Sequence, residues 1–216
     1  MLGDEWLNGN ATEQDAADAT YLDLDLQRVF NHCNRIDTSL HMAQGWFAVA
    51  GEPVPLLPIE LPLCYYVPRS FSPRTVVFSP FSHSDYMGNK LWPLHRWAEL
   101  GHTLLESGRA SEIIVVGSLS GDGGWDEVNP HDYFTNVVDR PLPEVLGTMR
   151  CAALVISIDN GISHLAHFGG VSQHLLLAPA CLPASFVANP RGRMIRGVPI
   201  DITVQKVLEA AEEMLR

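Results

Sequence analysis

The chain has 216 residues, 46% of them hydrophobic, with a formal net charge of −11 and a pI near 5.1. That supplies enough apolar material for a substantial core and excludes a disordered chain. The acidic balance argues against a protein whose main task is gripping nucleic-acid phosphate or an anionic membrane, so no nucleic-acid partner is expected.

Four cysteines, Cys33, Cys64, Cys151 and Cys181, stand far apart with no CxxC pair, which speaks against a zinc ribbon or a dense disulfide scaffold. No run approaches the ~20 apolar residues that cross a bilayer. The start, MLGDEWLNGNATEQDAADA, is acidic where a secretory signal would be basic and then apolar. These features predict a cytoplasmic chain with free thiols and no transmembrane segment.

Residues 1–20 are polar and rich in Ala and Asp, and read as a flexible lead-in. From Tyr21 to Ala50 the apolar positions Leu22, Leu26, Val29, Phe30, Cys33, Ile36, Leu40, Ala43, Phe47 and Ala50 recur at helical steps. The stretch GEPVPLLPIELPLCYYVPRSFSPR then places six prolines in 24 residues, a density that rules out a helix. Residues 21–74 are therefore a helical segment followed by a Pro-rich linker.

After residue 74 the pattern becomes regular. TVVFSPFS is a β-branched run ending in turn residues. LWPLHRWAELGHTLLESGR is a helix with a proline in its first turn and Leu94, Trp97, Ala98, Leu100, Leu104 and Leu105 on one side. SEIIVVGSLSGDGG is a buried strand entering a glycine-rich loop, and NVVDRPLPEVLGTMRCA a short strand, a turn and a helix. ALVISIDNGISHLAHFGG gives strand, polar turn and helix; SQHLLLAPACLP is a further buried strand; ITVQKVLEAAEEMLR is a closing amphipathic helix. Apolar strands alternating with helices predict an α/β fold, a Rossmann-like parallel sheet with helices on both faces, over residues 75–216.

Ligands of such sheets bind where strand ends lead into helices, and the polar turns fall there. After ALVIS come Asp159, Asn160, Gly161, Ile162, Ser163 and His164. A glycine admits close backbone approach, the first amides of a helix hold phosphate, and Ser163 and His164 are further donors. Asp159 or Asn160 equally suits a helix cap, and both readings stand at this point. The loop SPFSHSDYMGNK adds Ser79, Ser82, His83, Ser84 and Lys90. GSLSGDGGW matches neither a P-loop nor a dinucleotide GxGxxG. His164 and His167 are three apart, but no HExxH or nearby carboxylate completes a ligand set, so no metal is expected. No GxSxG elbow supports a hydrolase.

Taken together, TVVFSPFS, NKLWPLHRWAELGHTLLESG, SEIIVVGS and PLPEVLGTMRCAALVISIDNGISHLAHFGGVSQHLLLAPACLP resemble the C-terminal half of glycosyltransferase family nine, the ADP-heptose lipopolysaccharide heptosyltransferases. The resemblance covers about residues 75 to 200, and its most specific part is strand-Asp-x-Gly-x-x-His-Leu-Ala. It implies one half of a GT-B architecture, in which two Rossmann-like domains face across a cleft and the C-terminal one holds the nucleotide sugar. By that resemblance Asp159, Asn160, Gly161, Ile162 and His164 line the ADP and sugar site, with His164 and backbone amides near the diphosphate. Ser82 and Ser84 match the family's hydroxyl residues, and Lys90 matches a lysine that would offset charge on the departing diphosphate.

The departures are specific. Ser79, Pro80 and Phe81 stand where many members have Pro-Gly, and Asp122 is only a loose match to an acidic residue of the family. The family's N-terminal domain supplies the acceptor site and the carboxylate base, whereas about 70 residues precede the matching region here. Residues 21–60 resemble the end of that domain plus the interdomain linker. The resemblance therefore implies inverting transfer of a sugar from a nucleotide diphosphate, with no cofactor beyond the donor. The acceptor half would come from a separate chain or a second copy. The alternatives are a non-catalytic nucleotide-sugar-binding module or truncated homologue, and a GT-B-fold nucleotide-sugar epimerase.

Overall fold

In the run TVVFS all five residues are fully buried, as expected for a strand covered on both faces at the centre of a parallel sheet. The computed structural model describes residues 48, 53, 65–67, 70–82, 90–118, 133–179, 192–198 and 201–216. The helical segment predicted over 21–50, apart from the helical Ala48, and most of the Pro-rich linker lie outside them.

The elements in chain order are β1 (Thr75–Ser79), α1 (Leu94–Glu106), β2 (Glu112–Gly117), β3 (Thr135–Val138), α2 (Leu142–Cys151), β4 (Leu154–Ile158), α3 (Gly161–Phe168), β5 (His174–Pro179), β6 (Gly192–Gly197) and α4 (Val204–Met214). The strands form one parallel sheet in the order β3-β2-β1-β4-β5-β6. Strand order reverses between β1 and β4, whose register pairs Val76 with Leu154 and Ser79 with Ser157. That is the doubly wound arrangement, and the α/β, Rossmann-like reading of the sequence holds.

Period-two alternation divides the core between the two faces. Val76, Phe78, Ile113, Val115, Ile156 and Leu175 pack against α1 and α4 through Trp97, Leu100, Leu104, Val207 and Ala211. Val77, Ile114, Val116 and Val155 pack against α2 and α3 through Val145, Leu146, Met149 and Ala166. Burying each such aliphatic or aromatic side chain contributes roughly 1.5–3 kcal/mol. On the first face the Phe78 and Trp97 rings lie 5.1 Å apart, tilted at 57°, and Trp97 meets Trp92 edge-on at 5.1 Å. The buried Trp92 indole donates to the Ile202 carbonyl at 2.8 Å, fixing the start of α4 to the chain entering α1.

Two details differ from the sequence reading. Pro93 occupies the N-cap of α1 rather than its first turn, where its preset φ starts the helix without a side-chain cap. Strand β6, GRMIRG, was not foreseen: it is an edge strand with only Ile195 buried, and Arg193 reaches Glu213 on α4.

Candidate functional site

The reversal of strand order leaves a crevice above the carboxyl ends of β1 and β4, and the polar turn of the sequence sits there. Strand β4 ends at Ile158 and α3 begins at Gly161, so Asp159 and Asn160 form the whole turn. Asn160 is the N-cap of α3, in extended backbone conformation. Its Oδ1 accepts from the Ser163 amide at 2.8 Å, while Ser163 Oγ donates to the Asn160 carbonyl at 2.7 Å and accepts from the Asn160 amide at 3.3 Å. This closed capping box settles the Ser163 amide. The amides of Gly161 and Ile162, the first two of the helix, have no intrahelical acceptor and point out of its positive end.

The other end of the Asn160 side chain straps the turn to β1. Nδ2 donates to Ser79 Oγ at 3.0 Å and to the Phe81 carbonyl at 2.8 Å. Ser79 is fully buried, so this hydroxyl is a structural partner of the turn. Ser82 follows Phe81, whose carbonyl Asn160 binds, and is half-buried, whereas Ser84, His83 and Asp122 lie outside the described residues.

Asp159 is the electrostatic centre. Its side chain is 5% exposed, with Oδ2 at 3.1 Å from the Lys90 ammonium and Oδ1 at 3.9 Å from His164 Nε2. The lysine side chain is itself only 12% exposed, so a largely buried ion pair lies beside the helix start. Such a pair carries a desolvation cost and is weak as a device for stability alone. Burial holds the His164 pKa below its ordinary value; Asp159 opposes that shift and Lys90 adds to it.

His164 and His167 do not form a pair facing one site. The His164 side chain is 39% exposed at the crevice, whereas His167 is buried under the helix at 3% exposure. Beneath it His174 of β5 is hydrogen-bonded to Ser157 Oγ at 2.7 Å, with its pKa pushed down to about 3 by burial first and by His167 and His164 second. Among the described residues no group of three or more His, Cys, Asp or Glu is placed to hold a metal ion.

Gly161 is exposed, and a Cβ built on it meets no atom within 4 Å. Its backbone is not among those with positive φ. Neither packing nor backbone conformation therefore demands a glycine at this position.

The structure thus brings Lys90, Asp159, Asn160, Gly161, Ile162, Ser163 and His164 together, with Ser82 alongside. It assigns the Asn160 and Ser163 side chains to the cap and strap. Sequence reasoning named both Lys90 and Asp159 without foreseeing their ion pair. It missed the Ser157–His174 hydrogen bond, whose only signals are a lone serine in LVISI and a histidine opening HLLLAP.

Residues 34–168 match the sequence model of glycosyltransferase family 9 (heptosyltransferase), well over half of the chain. No curated protein sequence matches. Among solved structures, ADP-heptose LPS heptosyltransferase II of E. coli is similar with a TM-score of 0.65 and 20% identity, over 82% of this chain and 62% of that one. A family 9 glycosyl transferase from Veillonella parvula gives 0.67 and 15% over 94% and 65%. E. coli heptosyltransferase WaaC, solved with ADP, gives 0.57 and 17% over 80% and 55%. The chain spans less than two thirds of the length of each. No described helix is long and apolar enough to cross a membrane.

Proposed function

The chain belongs to glycosyltransferase family 9, and from that premise we propose that its parallel sheet is the donor half of a GT-B transferase, binding an ADP-heptose-like nucleotide-diphosphate sugar at the α3 turn. The observation that carries this reading is the buried Lys90–Asp159 pair beside the uncapped first amides of α3, at the crevice where strand order reverses. The similar E. coli structures support ADP as the nucleotide, one being described as an ADP-heptose enzyme and another as holding ADP.

The chemistry divides among these residues. The amides of Gly161 and Ile162 and the positive end of α3 receive the diphosphate. Lys90 and His164 flank it, with Ser82 and Ser84 as hydroxyl donors. Asp159, an acceptor only, suits sugar hydroxyls rather than phosphate. As the bond from the anomeric carbon to the diphosphate oxygen breaks, negative charge grows on the leaving group. Lys90 and the helix amides, fixed before the reaction, stabilise it there. The acceptor hydroxyl attacks the opposite face of the sugar. Its proton passes to a base of the acceptor half, supplied by the remainder of the protein, a separate chain or a second copy.

Calorimetry with ADP, GDP, UDP and their sugars tests the donor site. The Gly161→Ala variant is the informative partner: the fold accommodates its Cβ, but the methyl group stands where phosphate must approach the amides. Full thermal stability with a loss of ADP affinity of about tenfold or more, ~1.4 kcal/mol, is expected. Failure of every nucleotide and nucleotide sugar to bind the unaltered chain would overturn the reading. Release of free nucleotide only when an acceptor is present distinguishes transfer from mere binding, and an altered sugar formed without an acceptor would indicate an epimerase.

A further inference from the structure

His164 occupies the fourth position of α3, at the rim of the crevice, in an environment set by opposed charges. Three influences disfavour its charged form: burial, the Lys90 ammonium on the far oxygen of Asp159, and the positive end of its own helix. One opposes them, the Asp159 oxygen at 3.9 Å. His167, one turn along α3, and His174 from β5 are electrostatically coupled to it, both with lowered pKa.

We propose that binding of a nucleotide-diphosphate sugar to this turn is coupled to uptake of a proton by His164, which then holds the diphosphate as an imidazolium. The inference rests on the donor-site reading above. A diphosphate over the first amides of α3 brings negative charge to the same crevice as His164 and offsets both the Lys90 charge and the helix end. Negative charge beside an imidazole favours its protonated form, so a bound diphosphate raises the lowered His164 pKa. The proton comes from solvent, and no bond to the sugar changes. Asp159 serves both states: its Oδ2 orders Lys90 before binding, and its Oδ1 faces the imidazolium afterwards.

The test is calorimetry on the full chain with ADP-glucose, whose two phosphates are diesters and do not titrate near neutral pH, and with ADP in parallel. Binding is measured near pH 7 in buffers of different ionisation enthalpy. The expected result is an enthalpy that varies with buffer, equivalent to a fraction of a proton taken up per ligand. Affinity should rise up to about tenfold per pH unit between pH ~8 and ~6. His164→Gln should bind more weakly and lose both dependences. As a measurement on the unaltered chain, the His164 Cε1–H resonance should move to the imidazolium position when ADP-glucose is added at constant pH.

Binding with buffer-independent enthalpy and an unmoved resonance would overturn the proton coupling while leaving the donor site standing. Undiminished proton uptake in His164→Gln would do the same. Absence of any binding by the unaltered chain would remove the donor site, and the coupling with it.

Discussion

Replacing Asn160 separates two functions of one side chain, because its oxygen caps α3 through the Ser163 amide while its nitrogen reaches Ser79 and the Phe81 carbonyl. Aspartate is as good an N-cap as asparagine. In Asn160→Asp the second carboxylate oxygen would face a carbonyl at the 2.8 Å position now filled by a donor, leaving that carbonyl unsatisfied. We expect a loss of about 1–3 kcal/mol in urea unfolding despite the intact cap; a variant as stable as the parent would show that the strap carries no weight. Asn160→Ala should lose the cap as well, about a further 1 kcal/mol. The sequence showed a cap-or-ligand turn and nothing beyond it. The strap joins residues 79 and 81 positions apart, and no periodicity encodes which way a side-chain amide points.

At the scale of elements, hydrophobic pattern was sufficient wherever a strand was buried on both faces or a helix presented an apolar stripe. It failed for β6, where two arginines flank one buried isoleucine and the strand is defined by pairing with β5 rather than by its own composition. It also gave no hint of how residues 65–67 cross α2. There the Tyr66 amide donates to the Pro143 carbonyl at 2.9 Å, and Arg150 lies over the Tyr65 ring at 4.6 Å. The crossing is possible because position 147 is glycine: a Cβ there would sit 1.9 Å from the Tyr66 carbonyl oxygen. Gly147→Ala sets two effects against each other. Helix propensity favours alanine by about 1 kcal/mol, and the collision with backbone costs roughly 1–3 kcal/mol. The collision should win, giving net destabilisation in urea and faster amide exchange at Tyr66. Net stabilisation of about 1 kcal/mol would mean that the crossing yields without cost.

For the molecule as a whole, the histidines under α3 tie stability to pH in the direction opposite to the proposed ligand coupling. His174 is fully buried, hydrogen-bonded to Ser157 at 2.7 Å, with a folded pKa of about 3 against an ordinary value of 6.5. Between those values the unfolded chain binds a proton that the folded chain refuses. Stability is therefore undiminished above about pH 6.5 and falls as the pH drops toward 3. His174 alone removes on the order of 5 kcal/mol across that window, comparable with the 5–15 kcal/mol that holds a typical domain together. His164 and His167, also lowered, act in the same direction. Acid thus favours a protonated His164 against a diphosphate while weakening the sheet that presents it, so occupancy should peak at mildly acidic pH and decline below it. Urea unfolding from pH ~7 to ~4 should show stability falling steeply. In His174→Gln, which keeps a hydrogen-bond acceptor for Ser157, the slope should be shallower by about one proton. An unchanged slope would place the acid sensitivity elsewhere in the chain and leave His174 a neutral packing residue at every pH.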